Sequence, residues 1–365
     1  MKKITYSATG ADYEKLDPVK KLAQDSARKT AKNFPKSFSE ISDSRGESAF
    51  VFKNGNQLMA FVMEGLGTKS LVADEIYKKT KKSFYEVIAQ DTVATIINDL
   101  VSVGARPLIL NAYWADAGDG FLQDPKRMDN FIKGWEKACN ISGVVWGGGE
   151  TPTLKGIIEK ESVDLGGSAI GVIESTKKLI SDKNIKAGDR IIFIKSNGVN
   201  ANGISLTRAI AKKLPKGYLT KLPNGKLYGE SLLTPSNIYV KAIADLQKNN
   251  VDIHYISNIT GHGVRKIMRG RPKFIYVIEK IFKPQPVFDF IQKNAGLSDY
   301  EMYETYNMGQ DYCLIISEKD VEKCLRIISK NKFKAINAGY VEKGEKQVMI
   351  KPLSLVYSGE TLDLR

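Results

Sequence analysis

The chain has 365 residues, is 42% hydrophobic and 26% charged, and carries a formal net charge of +14 at pH 7. This composition is typical of a globular protein, and the length favours two domains because one hydrophobic core rarely serves so many residues. Apolar runs near the roughly 20 residues of a membrane-spanning helix are absent, and so is an apolar signal sequence near the start. We therefore expect no membrane partner.

The positive charge comes from lysines that are scattered along the chain. Basic blocks interleaved with aromatics are absent, so we expect no nucleic-acid partner. A phosphorylated small-molecule ligand or plain solubility explains the charge as well. Three cysteines without metal-ligand spacing predict reduced thiols in a cytoplasmic protein: Cys139, Cys313 and Cys324.

The first predicted elements are a helix that ends at Phe34-Pro35 and a β-hairpin around the turn Asn54-Gly55. The second strand of the hairpin runs into Glu64-Gly-Leu-Gly-Thr-Lys69. Two glycines allow close approach of the backbone to a ligand, the lysine supplies a cation, and Glu64 can bind a metal. The spacing excludes a Walker A loop and a dinucleotide-binding fingerprint. Taken alone, the loop also fits a structural turn.

The stretch Gln90–Pro107 predicts an amphipathic helix that Gly104 and Pro107 end. The side opposite its apolar face carries a polar stripe: Asp91, Thr95, Asn98 and Ser102, with Asp99 at the edge. Between Lys82 and Arg106 there is no basic residue, although the chain has 55 of them. An oxygen-rich stripe without basic residues suits a hard cation. A polar face covered by another subunit or by water explains the stripe equally.

A buried strand at 108–114 and a helix at 125–142 come next. The short strand 144–146 is followed by Gly147-Gly-Gly-Glu150, which predicts a loop that places Glu150 against an anion–metal complex, or a flexible turn. Small residues in the strand 163–173 indicate close packing against a sheet or a subunit. We expect a boundary near 174–188, which divides the chain into domains 1–175 and 176–365.

The second half opens with the strand 190–194, a Gly/Asn/Ser loop and a helix from Ile204. Free N–H groups at that helix start predict an anion site, whereas capping by Asn202 is the alternative explanation. Leu233-Thr-Pro235 predicts the start of another helix. Gly261-His-Gly263 then follows a strand, and His262, one of two histidines, is a candidate catalytic residue. A helix at 321–328 and a strand at 335–341 complete the domain.

Several of these motifs, in this order and at this spacing, resemble the aminoimidazole ribonucleotide synthetase family, also called phosphoribosylformylglycinamidine cyclo-ligase. The segments that carry the resemblance are Gly65–Lys69, Gln90–Thr92, Asn98–Leu100, Gly104–Pro107, Gly147–Thr151, Asn202–Leu206, Leu233–Pro235, Ile238–Val240, Ile259–Gly261 and Asn307–Gly309. Tyr6–Asp12 also looks like the family's N-terminal segment. The resemblance covers nearly the whole chain.

The resemblance implies an α+β protein of two domains, the first of which forms a β-barrel across a homodimer interface. It also implies an ATP-dependent ring closure, in which Mg²⁺-bound ATP phosphorylates the formyl-amide oxygen of formylglycinamidine ribonucleotide. The amidine nitrogen then attacks that carbon and phosphate leaves. An amide oxygen is a poor leaving group until it is phosphorylated, and phosphoryl transfer needs mainly positioning and charge neutralisation.

Site residues are implied by the same resemblance. The metal ligands are Glu64, Asp91, Asp99 and Glu150. The residues that hold ATP are Gly65, Gly67, Thr68, Lys69, Asn98, Gly148 and Gly149. The residues that hold the phosphorylated ribonucleotide are Asn202, Gly203, Ser205, Thr260 and Gly261. Lys69 and Asp91 are the catalytic candidates on this basis, and His262 is a third that comes from the sequence itself and not from the resemblance.

The sequence departs from the family pattern at four places. Glu64 replaces an aspartate, Gln90 a histidine, His262 a glycine, and Ser44–Ser48 a glycine-rich segment. These departures put the substrate in question.

Other members of the superfamily fit the sequence less well. A selenophosphate synthetase would need a reactive cysteine near the N-terminus, but the first cysteine here is Cys139. A hydrogenase-maturation dehydratase would end in cysteine, but the last residue here is Arg365. A thiamine-phosphate kinase remains an alternative. A non-catalytic nucleotide-binding homologue is a further one, against which the acidic residues at 91, 99 and 150 argue.

Overall fold

The structure is a computed structural model that describes residues 3–5, 9–10, 13–118 and 120–362. Most of the segment Tyr6–Asp12 therefore lies outside the described residues. No helix in the described part of the chain combines the length and the hydropathy that crossing a bilayer requires.

The N-terminal half forms a six-stranded sheet in the order β1-β2-β3-β6-β4-β5. Only the pair β4 and β5 is parallel. The predicted hairpin is confirmed, since β2 and β3 pair around the turn with Asn54 opposite Gln57. The strands are β1 (Phe38–Glu40), β2 (Phe50–Asn54), β3 (Gln57–Gly65), β4 (Arg106–Asp116), β5 (Val145–Glu150) and β6 (Val163–Ile173).

Helices cover one face of this sheet. The first four helices are α1 (Tyr13–Arg28), α2 (Lys69–Thr80), α3 (Tyr85–Ser102) and α4 (Pro125–Ser142), of which α3 and α4 pack against the sheet. Side chains alternate across a strand, so Leu58, Ala60 and Val62 of β3 face the helices and are buried, while Phe61 and Met63 are 44% and 70% exposed on the other face. The first domain therefore has one packed face and one bare apolar face.

Glycines in β6 let α3 lie close to the sheet. A side chain at Gly167 would bring its Cβ to 3.0 Å from Ile96 Cδ1, and one at Gly171 to 3.1 Å from Leu100 Cδ2. The small residues predicted to allow close packing thus serve the contact between α3 and the sheet.

The C-terminal half forms a seven-stranded sheet in the order β13-β12-β9-β11-β7-β10-β8, in which only β12 and β9 pair in parallel. Its strands are β7 (Arg190–Lys195), β8 (Ile253–Asn258), β9 (Phe274–Ile278), β10 (Gln310–Ile316), β11 (Ala335–Lys343), β12 (Gln347–Ile350) and β13 (Leu355–Ser358). Its helices are α5 (Ile204–Lys213), α6 (Tyr228–Leu232), α7 (Val240–Lys248), α8 (Pro286–Ala295), α9 (Asp299–Thr305) and α10 (Val321–Lys330).

Two local predictions are wrong. Gly147–Gly149 belong to β5 and form neither a loop nor a flexible turn, because a side chain at Gly149 would collide with the backbone of Ala112 in the neighbouring strand. The helix predicted from Leu233 begins only at Val240. Residues 234–239, which we call the linking segment, lack helical structure and contact α3 of the first domain.

Candidate active site

The polar stripe of α3 is covered by the linking segment of the second domain. Asp91 Oδ1 accepts a hydrogen bond from the Ser236 amide at 2.7 Å, and Asp91 Oδ2 lies 2.5 Å from Lys69 Nζ. Both charged side chains are fully buried. Lys69 Nζ also donates to the Thr234 carbonyl at 3.3 Å. Asp91 thus holds the lysine of the Gly65–Lys69 loop and the linking segment together.

The amide side chains of α3 extend this contact. Asn98 accepts from the Tyr239 amide at 3.0 Å and donates to the Asn237 carbonyl at 2.8 Å. Gln90 donates to the Ser236 carbonyl at 2.8 Å. The stripe therefore has a cover that the sequence did not indicate, namely the second domain of the same chain.

Glu64 and Asp99 form an acidic pair where β3, α3 and β8 meet. Asp99 Oδ1 accepts from Asn258 Nδ2 at 2.7 Å, at the end of β8. Glu64 keeps solvent access, but desolvation and the charge of Asp99 raise the pKa of its carboxyl to about 7, although Lys266 and Arg269 oppose this shift. Two carboxylates so placed favour a cation.

Basic residues that the sequence analysis did not select lie beside this pair. Lys266 is 7% exposed, and its Nζ donates to Thr260 Oγ1 at 2.6 Å. Arg269 Nη1 donates to Ser48 Oγ at 3.1 Å. Both belong to a 3₁₀ helix, Gly263–Arg269, that begins at the last residue of Gly261-His-Gly263. Basic residues clustered after a glycine-rich turn were the signal that could have found them.

His262 has a left-handed backbone, with φ of +69°, and its buried ring faces α1, where Nε2 lies 3.9 Å from Asp17 Oδ2. Burial, together with the charges of Arg265 and Lys266, lowers the pKa of His262 to about 3. The imidazole is therefore neutral at pH 7 and is a weak base. Its catalytic role stays a prediction.

Glu150 lies away from the acidic pair within one chain. Glu64 is opposite Gly167, Gly167 is opposite Ala112, and Ala112 is opposite Gly149, which precedes Glu150 on the edge strand β5. Three strand spacings correspond to about 14 Å. Among the described residues, no group of three or more histidine, cysteine or carboxylate side chains is placed to hold a metal ion.

The helix that starts near Asn202 is not capped by the Asn202 side chain, which was one of the two explanations that the sequence offered. Gly203 is the N-cap of α5, with φ of +75° and no side-chain hydrogen bond, so capping by Asn202 is wrong. A side chain at Gly203 would collide with the ring of Tyr306, whose hydroxyl donates to the Gly203 carbonyl at 2.9 Å. Asn202 and Ser205 are partly exposed there.

A buried carboxylate connects this loop to the linking segment. Asp311 of β10 accepts from Tyr239 Oη at 2.5 Å, from Asn237 Nδ2 at 3.2 Å and from Asn200 Nδ2. Burial raises the pKa of the Asp311 carboxyl to about 6, against the effect of these hydrogen bonds. Asp311 could not be predicted as a site residue from the sequence, because it lies 72 residues from Tyr239 and 111 from Asn200.

The chain is thus a two-domain α/β protein, with a glycine–lysine loop and an acidic pair at its domain junction. The chain belongs to the AIR synthase related family. The family's N-terminal domain matches residues 46–173 and its C-terminal domain matches residues 186–351. The resemblance inferred from the motifs is confirmed.

Relatives named phosphoribosylformylglycinamidine cyclo-ligase match most of the chain. One from Carboxydothermus hydrogenoformans is 31% identical over 359 residues, which are 96% of this chain and 99% of the relative. Another from Methanocaldococcus jannaschii is 30% identical over 329 residues, which are 90% and 89% of the two chains.

Solved structures share the fold. The HypE–HypF complex matches with a TM-score of 0.62 at 18% identity, over 92% of this chain and 98% of that one. AaThiL complexed with AMPPCP and TMP matches with a TM-score of 0.58 at 15% identity, over 91% and 93% of the two chains. The predicted two-domain AIR synthase-like fold is confirmed.

Proposed function

We propose that this chain is an ATP-dependent cyclo-ligase that converts formylglycinamidine ribonucleotide to aminoimidazole ribonucleotide, ADP and phosphate. The observation that carries the proposal is the identity of 31% over 96% of the chain to a relative named for this reaction. AMPPCP in the AaThiL complex supports a nucleotide as the second substrate.

The Gly65–Lys69 loop would hold the triphosphate. Gly65 and Gly67 are exposed, and a Cβ placed on Gly67 would meet no atom within 4 Å, so the loop backbone faces open space. The buried pair of Asp91 and Lys69, 2.5 Å apart, orients the lysine where α2 begins. Asp91 would therefore act on the nucleotide through Lys69 and through the Ser236 amide.

Within one chain, Glu64 and Asp99 are the carboxylates that would hold a magnesium ion. Mg²⁺ bound with a nucleotide commonly takes one or two carboxylates and completes its coordination with water and phosphate oxygens. Glu64 and Asp99 supply such a pair, and burial and then the charge of Asp99 raise the pKa of the Glu64 carboxyl to about 7, as expected where two carboxylates lie close together. Both oxygens of Asp91 are engaged, and Glu150 lies across the sheet. The ion would neutralise charge on the transferred phosphoryl group.

The reaction balances with these groups. In the first step the formyl-amide oxygen takes the γ-phosphoryl group and ADP leaves. In the second step the amidine nitrogen forms the new C–N bond, the C–O bond to the phosphorylated oxygen breaks, and phosphate and a proton are released. The start of α5, at Asn202–Ser205, and Thr260–Gly261 would hold the ribonucleotide. N–H groups at a helix start favour its phosphate.

A second copy of the chain would cover the bare face of the first sheet. Phe61, Met63, Ile109 and Val145 are 44%, 70%, 44% and 64% exposed there. An apolar sheet face of this kind marks an interaction surface. The homodimer and its β-barrel are part of this proposal and would bring the partner's edge strand near the site.

The test is turnover by the purified protein. With ATP, Mg²⁺ and formylglycinamidine ribonucleotide we expect ADP release and a diazotisable amine. Asp91→Asn should lose most of this activity with an unchanged circular dichroism spectrum, whereas Asp129→Asn, on the exposed side of α4, should match the wild type. ADP release only with thiamine phosphate, accompanied by thiamine diphosphate, would assign the alternative kinase function, and background ADP release with both substrates would leave a nucleotide-binding protein.

A further inference from the structure

Lys266 is a buried cation with unused hydrogen-bonding capacity. Its side chain is 7% exposed, and its Nζ donates to Thr260 Oγ1 at 2.6 Å. An ammonium group has three donors, and within the described chain no second hydrogen bond or ion pair of Lys266 is present. Burial of a cation is costly unless acceptors surround it. Two of the three donors of this ammonium group therefore have no acceptor among the described residues.

The surroundings of Lys266 combine both charges. Thr260, its partner, follows two residues after Asn258, which is hydrogen-bonded to Asp99 at 2.7 Å. Glu64 and Glu47 are the other nearby carboxylates. Arg269 lies on the same 3₁₀ helix, and its Nε is buried without a hydrogen-bond partner. The carboxylates Glu64 and Asp99 thus lie beside Lys266 and Arg269, and both of these basic side chains have hydrogen-bond donors without an acceptor in the described part of the chain.

This combination fits a phosphate group. Phosphate oxygens accept several charge-assisted hydrogen bonds and tolerate a neighbouring carboxylate when a cation lies between them. A lysine serves such an oxygen as a point charge, and the short bond to Thr260 fixes the position of Nζ. A purely structural lysine would instead form a close ion pair with Asp99, Glu64 or Glu47, and among the described residues Lys266 has no ion pair within 4 Å of Nζ.

We propose that Lys266 is a phosphate-binding residue of this chain, which donates to a phosphate oxygen of a ligand held between the two domains. The identity of that ligand rests on the proposed function, which offers two sources of the same chemistry. One is the terminal phosphate of the nucleotide, and the other is the phosphate of the ribonucleotide substrate.

Calorimetric titration of the full chain tests this inference. The probes are inorganic pyrophosphate, AMPPNP and ribose 5-phosphate, each measured with Mg²⁺ and with EDTA. The loss of one charge-assisted hydrogen bond predicts that Lys266→Met raises the Kd for pyrophosphate by about 10- to 100-fold. Lys266→Arg should retain part of the affinity. Lys273→Met, at a lysine that is 69% exposed, is the matched control and should bind as the wild type does.

The other probes assign the source of the phosphate. A Kd that rises for AMPPNP alone identifies the nucleotide, and one that rises for ribose 5-phosphate alone identifies the ribonucleotide. If Lys266→Met is unfolded by circular dichroism, Lys266→Gln takes its place in the same comparison. Equal affinities in wild type and variant, or no pyrophosphate binding by either, would overturn the inference. Wild type that binds pyrophosphate but no nucleotide would refute the proposed function alone.

Discussion

Replacement of Asp311 by asparagine should change how the stability of the protein depends on pH. Asp311 is 2% exposed and accepts hydrogen bonds from Tyr239 and Asn237. Burial raises the pKa of its carboxyl from 3.8 to about 6, with a contribution from the charge of Asp91. The native carboxyl therefore holds its proton more tightly than the unfolded one. Its stabilising contribution is complete below pH 3.8 and is lost as the pH rises through 6.

The size of this effect follows from the difference between the two pKa values. About two units correspond to about 3 kcal/mol in the free energy of unfolding. Asparagine has the same shape and does not titrate, so the wild type should lose about 3 kcal/mol relative to Asp311→Asn between pH 3.8 and 7.

Urea unfolding at a series of pH values, followed by circular dichroism, measures this difference. The curves of wild type and Asp311→Asn should diverge up to about pH 6 and run parallel above it. Asp129→Asn, at a side chain that is 57% exposed, should parallel the wild type throughout. A constant difference between wild type and Asp311→Asn over the whole range would refute the reasoning.

Three further predictions concern other parts of the molecule. Burial alone would lower the pKa of His254, but its 2.7 Å hydrogen bond with Asp189 and the charge of Asp252 outweigh burial and raise this pKa. The protonated histidine therefore stabilises the fold below pH 6.5, and this stabilisation is lost as the pH rises through the native pKa. His254→Gln should remove that part of the pH dependence of urea unfolding, and identical curves for variant and wild type would contradict it. Gly203→Ala should lower the free energy of unfolding by about 2–4 kcal/mol, because φ is +75° and Cβ would collide with Tyr306; an unchanged melting temperature would show that this loop adapts. Phe61→Glu should convert a dimer into a folded monomer by light scattering, and a wild type that is already monomeric would refute the dimer proposal.

Local periodicity predicted much of the fold. The sequence indicated the β-hairpin of β2 and β3, and α4 was predicted at its observed bounds, Pro125–Ser142, because apolar spacing and turn residues determine such elements locally. The glycines of β5 were predicted as a loop, since their need for space arises from the neighbouring strand β4 and not from the local sequence.

The candidate site could be predicted only in part. The motifs selected Glu64, Lys69, Asp91 and Asp99, all of which lie near the domain junction. The partners of these residues were not predictable, because Asp91 and Ser236 are 145 residues apart and no periodicity connects them. Lys266 and Asp311 could not be predicted as site residues for the same reason. The role of a single lysine or aspartate depends on the residues that surround it in the folded protein.

Transfer of isotope from the substrate to phosphate tests the central proposal most directly. Formylglycinamidine ribonucleotide labelled with ¹⁸O at the formyl-amide oxygen is incubated with the protein, ATP and Mg²⁺, and the released phosphate is analysed by mass spectrometry. If the amide oxygen is phosphorylated before the ring closes, each molecule of aminoimidazole ribonucleotide should be accompanied by one phosphate that carries ¹⁸O. Phosphate without the label would show that ATP is hydrolysed by water and would contradict the proposed reaction.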